Sequence, residues 1–323
     1  MSYGANVAVA LVLAGLVLGG PSAAEEPRER VLVPLDTLKA PGLGESSGLV
    51  LSRRLPGVFW SHNDSGDEAR LFALDSTGAS IRPPWTEADT GLRVLEAANH
   101  DWEDLALGDA GNLILADVGN NSNARRDLCL YVVPEPDPRR LEAARPVTRI
   151  LVAWPDQTEF PAPDMNRDCE AIFFARGAVH FLTKHRTDRL TRLYRLDPPA
   201  GVAGDPHRPW HEAFRPGRVH ALTYLGEADV GGLREDVAGL VTAADADLDG
   251  GRLVLLTYTG LFLVENPPEG EGLRTGNLLA GRWSWLPLAA GQCEAVALDG
   301  DRVWITNEQR GLHQVPLREL APR

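Results

Sequence analysis

Lysine is nearly missing from this 323-residue chain: of its 32 basic residues only Lys39 and Lys184 are lysines, and 45 acids bring the formal charge to −13. Nucleic acid is held by a basic face that releases the phosphates' counterions, so this balance argues against a nucleic-acid partner. Cysteine is scarce as well. Cys129, Cys169 and Cys293 are too few and too far apart for a disulfide framework or a zinc site, and they read as buried apolar thiols. A bridge between Cys169 and Cys293, which sit in matching contexts, would need Cα atoms within roughly 7 Å. Also missing are any sustained 3.6-residue apolar stripe and any apolar run of the roughly 20 residues that span a bilayer. What is present, 44% hydrophobic and 24% charged residues with 32 Gly and 24 Pro, is the composition of a chain that folds.

Residues 7–19 read VAVALVLAGLVLG, the length of a signal-peptide apolar region, and Pro21-Ser22-Ala23-Ala24 follows with small residues suited to cleavage after Ala24. The sequence therefore predicts a signal peptide over residues 1–24, a single mature domain over 25–323 in the periplasm or outside the cell, and no membrane span after cleavage. The leader carries no Lys or Arg, so an uncleaved anchor is the alternative. With no cysteine before Cys129, a lipoprotein anchor is excluded.

Apolar residues alternate in short β-branched and aromatic runs cut by Gly, Pro, Asp and Asn, which predicts an all-β protein. Five times an acid opens such a run: Glu45 in ESSGLVL, Glu103 in EDLAL, Glu170 in EAIFF, Asp245 in ADADL and Glu294 in EAVAL, at spacings of 58, 67, 75 and 49 residues. Each interval suits four strands and their turns. Radially repeated four-stranded sheets make a β-propeller, here of five blades, with six as the alternative if residues 219–225 begin another. Residues 31–35 would close the ring by adding to the sheet that contains residues 311–315, hiding an edge.

Tight turns would place all five acids at one mouth of the tunnel, near Asn63, Asp64, Asn120, Asn121, Lys184, His185 and Tyr258 at the ends of the partner strands. Carboxylates crowded on an axis must be protonated or share a cation, and hard oxygen donors favour Ca2+. Glu45, Glu103, Glu170, Asp245 and Glu294 are thus the candidate metal ligands. A ring of acids that only hydrogen-bonds backbone N–H groups of neighbouring blades is the alternative. Lys184 and His185, with Arg125 and Arg126, could hold an anionic group beside the cation. Asn63, Asp64, Asn120, Asn121 and Arg125 are the candidate substrate-binding residues, against the alternative that the Asn and Asp residues serve turn geometry.

Other motifs give way on context. Residues 245–250 copy the first half of a calcium loop, but position twelve is Leu256 and a β run follows, so Asp249-Gly250 reads as a hairpin turn. Gly44-Glu45-Ser46-Ser47-Gly48 fits a nucleophile elbow but lacks the strand before it and the helix after it. Trp60 and Trp102 read as blade-packing residues.

The run ESSGL, WSHNDSG, LFALD, DWEDLAL, ADVGNN, VTAADADLDGGRLVLLTYT, CEAVAL and ITNE resembles a family of exported bacterial β-propellers across nearly all of residues 25–323. More weakly, it is similar to calcium-activated nucleotidases, propeller phytases and lactonase or phosphotriesterase propellers. That resemblance implies an axial Ca2+ polarising a small phosphorylated or ester substrate, although Asp245 stands where the other units have Glu and no complete set of family catalytic residues is matched. From the convergence of groups on one rim, the residues themselves suggest His62 or His185 as general base on water and Lys184 steadying charge. A different class remains open: a non-catalytic propeller binding an envelope protein or polysaccharide, its carboxylate ring purely structural.

Overall fold

Turn residues set the hairpins of this chain, and alternation sets which face of each strand is buried. A computed structural model describes residues 27–199, 209–231 and 239–323; the leader of residues 1–24 lies outside the described residues. Four-stranded antiparallel units follow one another. Blade 1 is Ser46–Leu51, Phe59–Asn63, Arg70–Leu74 and Leu92–Val94, and blade 2 is Trp102–Leu107, Asn112–Asp117, Cys129–Pro134 and Thr148–Ala153. Blade 3 is Asp168–Ala175, Ala178–Lys184, Leu190–Arg195 and Thr223–Asp229, and blade 4 is Val241–Ala246, Arg252–Thr257, Gly260–Glu265 and Arg282–Ala289. Blade 5 is Cys293–Asp299, Arg302–Asn307 and Gly311–Pro316, completed by Asp36–Thr37 from the start of the chain. The first strand of each blade touches the first strand of the next, and that of blade 5 touches blade 1, so the five stand around one axis. The chain is a five-bladed β-propeller.

Ring closure differs in detail from the sequence expectation. Asp36 and Thr37 pair with Leu312 and Gly311, whereas Arg30–Val31 runs parallel to Leu288 and Ala289 of blade 4. Pro34 explains the division, because it has no N–H to offer a ladder and separates the two short pairings. Residues 219–225 also divide. Val219–Ala221 lies parallel to Leu151, Val152 and Ala153 of blade 2, and only Thr223–Asp229 forms the outer strand of blade 3.

These excursions share a pattern. The connection before each blade's outermost strand reaches back to strap the preceding blade. Ala143–Ala144 from blade 2 pairs with blade 1, Val219–Ala221 from blade 3 with blade 2, and Arg30–Val31, preceding the closing strand of blade 5, with blade 4. In blade 4 the connection carries the short helix Glu271–Thr275 and the turn Leu278–Ala280, which contacts the outer strand of blade 3. In blade 1 it brings the Gly78 carbonyl to the Lys39 N–H beside the closing strand, at 2.8 Å. Each strap covers an edge that would otherwise present unpaired backbone groups.

The core lies between blades. Five apolar clusters each fill one interface between neighbours, and the one between blades 1 and 2 contains Trp60 and Trp102, both fully buried. Their indole N–H groups donate to Glu135 Oε1 and the Ala98 carbonyl, each at 2.9 Å, as a buried donor requires. Truncating either ring would cost about 3–5 kcal/mol. Asp249-Gly250 forms the hairpin turn expected of it, with Gly250 at φ 76° and its N–H on the Asp247 carbonyl. The three cysteines are free and buried.

Candidate functional site

At the same point in every blade the pairing of first and second strands slips by one residue. The slips fall between Ser46 and Gly48, Trp102 and Asp104, Cys169 and Ala171, Val241 and Ala243, and Cys293 and Ala295. The bulged residues are therefore Ser47, Glu103, Glu170, Thr242 and Glu294. A bulge bends its strand and re-aims one side chain, which here carries the glutamates to one end of the tunnel. Where the bulge is a hydroxyl residue it ties the ring together: Ser47 Oγ donates to the Glu103 carbonyl and Thr242 Oγ1 to that of Cys293, both at 2.8 Å and both on the next blade.

Glu103 and Glu170 are almost fully buried, while Asp64, Asp101 and Glu294 are half-buried beside them. Carboxylate oxygens of Asp64, Asp101 and Glu103 lie within 4.8 Å of one another, as do those of Glu103, Asp168 and Glu170. Burial and mutual repulsion show in their protonation. Burial first, then the Glu170 charge, lifts Glu103 well above the usual carboxylate range, and burial lifts Glu170 against the pull of Lys184. Asp101 is raised to about 6 by burial and by Asp64 and Asp168, and Glu294 to about 8 by burial. Glu103 and Glu170 meet side chain to side chain, which requires a proton or a cation between them.

The two groups of acids are not alike. Asp168 already accepts from the Asn120 N–H at 2.8 Å and from Arg186 at 2.6 Å, and Glu170 has Lys184 at 2.9 Å. Asp64, Asp101 and Glu103 have no ion pair to any described Lys or Arg side chain. Gly119 leaves room for this group, since a Cβ there would overlap Glu103 Oε1 and Asp101 Oδ2. An all-oxygen set of carboxyl groups around such a cradle fits a hard divalent cation.

Lys184 sits inside the mouth with its Nζ 2.9 Å from Glu170 Oε1 and 2.9 Å from Tyr258 Oη, and its pKa is raised well above its ordinary value, the carboxylate outweighing burial. It acts as an internal counter-ion. The remaining sequence candidates fall elsewhere. Glu45 is exposed at the rim, two residues before the bulge at Ser47. Asp245 lies toward the opposite end of the tunnel, three residues past Thr242, and its oxygens accept the Ala246 and Leu298 N–H groups at 2.8 and 2.9 Å. It therefore ties blade 4 to blade 5 and stands apart from the other acids.

His62 is fully enclosed edge-on to Trp102, ring centroids 5.6 Å apart, and burial lowers its pKa, so it presents no base to a bound water. His185 is also buried, close to Gly239. Asn63 spends its amide on the Glu45 N–H and the Gly42 carbonyl, and Asn120 on the Arg125 N–H and the Arg167 carbonyl. Arg125 is held by Asp117, Asp127 and the Gly119 carbonyl, and Asn121 accepts from Arg186. These side chains build the walls of the mouth; Asp64 alone among them faces the acids.

Sequence reasoning passed over Asp101, Asp168 and Asp104. The first two each stand two residues before a bulged glutamate, in DWED and DCE, a signal visible once the bulge is known. Asp104 is buried in the tunnel and accepts the Leu105 and Ile172 N–H groups at 2.8 and 2.9 Å, joining blade 2 to blade 3.

No family profile and no curated protein matches this chain. Solved structures that resemble it are β-propellers of varied function. They include the allergen Mala s 1 of Malassezia sympodialis, at 9% identity over 88% of this chain and 94% of that one with a TM-score of 0.49. A luciferin-regenerating enzyme resembles it at 9% identity over 90% and 97% with a TM-score of 0.43. Virginiamycin B lyase from Staphylococcus aureus does so at 12% identity over 87% and 69% with a TM-score of 0.37. The count of five blades rests on the strand pairing described above. Among the described residues no helix is long and apolar enough to cross a membrane.

Proposed function

We propose that this chain is an exported β-propeller that holds a divalent cation, Ca2+, at one mouth of its tunnel and binds a small phosphorylated or ester substrate there. One observation carries this reading: the oxygens of Asp64, Asp101 and Glu103 converge within 4.8 Å over the Gly119 cradle. Glu170 and Glu294 flank them. A bound Ca2+ would supply a Lewis acid that polarises a phosphoryl or acyl oxygen. The chain's own groups do the rest. Lys184 holds Glu170 in place and opposes its uptake of a proton, and Asp168 fixes the wall through Asn120 and Arg186.

Hydrolysis would add water across the ester P–O or C–O bond, with the departing alcohol taking one proton. His62 and His185 are both buried, so neither is placed to carry that proton. The burial of both histidines also favours a second reading, in which the propeller binds an envelope protein or polysaccharide without catalysis and the cation is structural.

Calorimetric titration of the purified protein with CaCl2 tests the first claim. One site per chain is expected, lost in Asp64→Asn/Asp101→Asn and retained in Asp245→Asn. Undiminished affinity in the double variant would overturn the assignment. A panel of phosphate monoesters and lactones separates the two readings, because turnover that needs calcium belongs only to the first.

A further inference from the structure

Beside the acids, between blades 4 and 5, lies a second cavity of about 650 Å³. Its wall is Leu288, Ala289 and Ala290 with Tyr258, and its polar groups are Thr259, Gln292, Gln309 and Glu29. Tyr258 belongs to both spaces, because its Oη takes the hydrogen bond from Lys184. Thr259 is more than nine-tenths buried and its Oγ1 has no hydrogen-bond partner among the described residues. A buried hydroxyl left unmatched is unfavourable, and a ligand atom that reached it would satisfy it.

Acids outnumber cations around this cavity, and Glu29 is the one charged residue of its lining. Glu29 stands on its rim, Glu308 is held against Gln292 at 2.8 Å, and Glu294 lies close enough to Tyr258 to act on its ionisation. Lys184 is already neutralised by Glu170. A second anionic group placed here would meet acids and no free described cation, whereas an uncharged, largely apolar group would meet Leu288, Ala290 and the tyrosine ring.

We propose that this cavity is the specificity pocket of the calcium site and selects phosphate or acyl monoesters whose organic group is uncharged, mainly apolar and carries one hydrogen-bonding atom for Thr259. The inference rests on the proposed calcium site and narrows its substrate class: di- and polyphosphates are disfavoured. Tyr258 positions the two parts of the substrate relative to one another, since it borders the cavity and is anchored to Lys184.

The test uses the full chain loaded with Ca2+ and compares inorganic phosphate, pyrophosphate, phenyl phosphate and 4-hydroxyphenyl phosphate by calorimetry. Phenyl phosphate should bind about tenfold or more tightly than phosphate, through burial of its ring, while pyrophosphate gains nothing. Ala290→Phe, which fills the cavity, should erase that preference and leave calcium and phosphate affinities unchanged. Thr259→Val is nearly isosteric and guards against misfolding of the first variant; it should keep the phenyl preference and lose any added gain from the 4-hydroxyl group. If calcium and phosphate bind but phenyl phosphate gains nothing, or pyrophosphate binds more tightly than phenyl phosphate, the pocket is overturned and the calcium site stands. If neither calcium nor phosphate binds, the calcium site fails and this inference fails with it.

Discussion

Lys184 Nζ and Glu170 Oε1 meet at 2.9 Å at the mouth of the tunnel, each less than a tenth exposed. Two of the five bulge positions carry hydroxyls and three carry glutamates; one of those glutamates is balanced from within the chain. On the proposed reading, the imbalance of the remaining acids is what would draw a cation to the mouth.

Removing that internal cation should be costly. Lys184→Met leaves Glu170 buried and unpaired, and unfolding in urea should show a loss of about 3–5 kcal/mol. The double variant Lys184→Met/Glu170→Gln should recover most of it. A single variant as stable as the wild type would show that the pair contributes nothing.

Glu103 belongs to both groups of acids, so Glu103→Gln should weaken Ca2+ binding by about tenfold or more, a loss of at least ~1.4 kcal/mol. Thermal melts give an independent reading. At a free Ca2+ concentration about one hundred times Kd the native state gains ~2.7 kcal/mol, so a chelator should lower Tm in the wild type and much less in this variant.

Asp104 serves the ring. Its two oxygens take backbone N–H groups from Leu105 and Ile172, and burial raises its carboxyl well above the usual carboxylate range. Asp104→Asn, which keeps one of the two acceptors, should cost about 1–2 kcal/mol, and Asp104→Ala, which strands both N–H groups, about twice that. Equal losses in both variants would contradict that role.

Acid should destabilise the fold through a histidine far from the mouth. His180 is buried and stacked on Phe173 at 4.8 Å, and burial, then Arg195, lowers its pKa to about 3. The unfolded chain takes up a proton near pH 6.5 that the native state refuses. Its contribution is thus complete above about pH 6.5 and falls by up to ~1.4 kcal/mol per unit as the pH drops toward 3. His180→Phe should flatten that part of the stability profile measured in urea.

Much of this architecture is legible in the sequence because a strand's two-residue period survives without knowledge of its neighbours. The runs around Trp60, Leu115 and Phe181 form strands within a residue or two of their expected ends. Glu103, Glu170 and Glu294 are legible too, each opening an apolar run. Glu45 and Asp245 are not equivalent to them, because a bulge inserts a residue that no spacing marks, and Ser47 and Thr242 occupy its place in blades 1 and 4. Histidine beside a strand end suggests chemistry, but whether His62 reaches solvent is decided by Trp102 from another blade, which local sequence cannot reveal.

The straps at the rim bear on the order in which the molecule is made. Arg30–Val31 finishes blade 4 and Asp36–Thr37 finishes blade 5, so two edges formed by the last third of the chain wait for partners that leave the ribosome first. Those early residues must remain unclaimed until some 250 others have been added, and their docking is the longest loop closure in the fold. A chain shortened past residue 37 would keep every residue of its acidic mouth and yet display two raw edges, inviting a neighbouring copy to lend its own first strands.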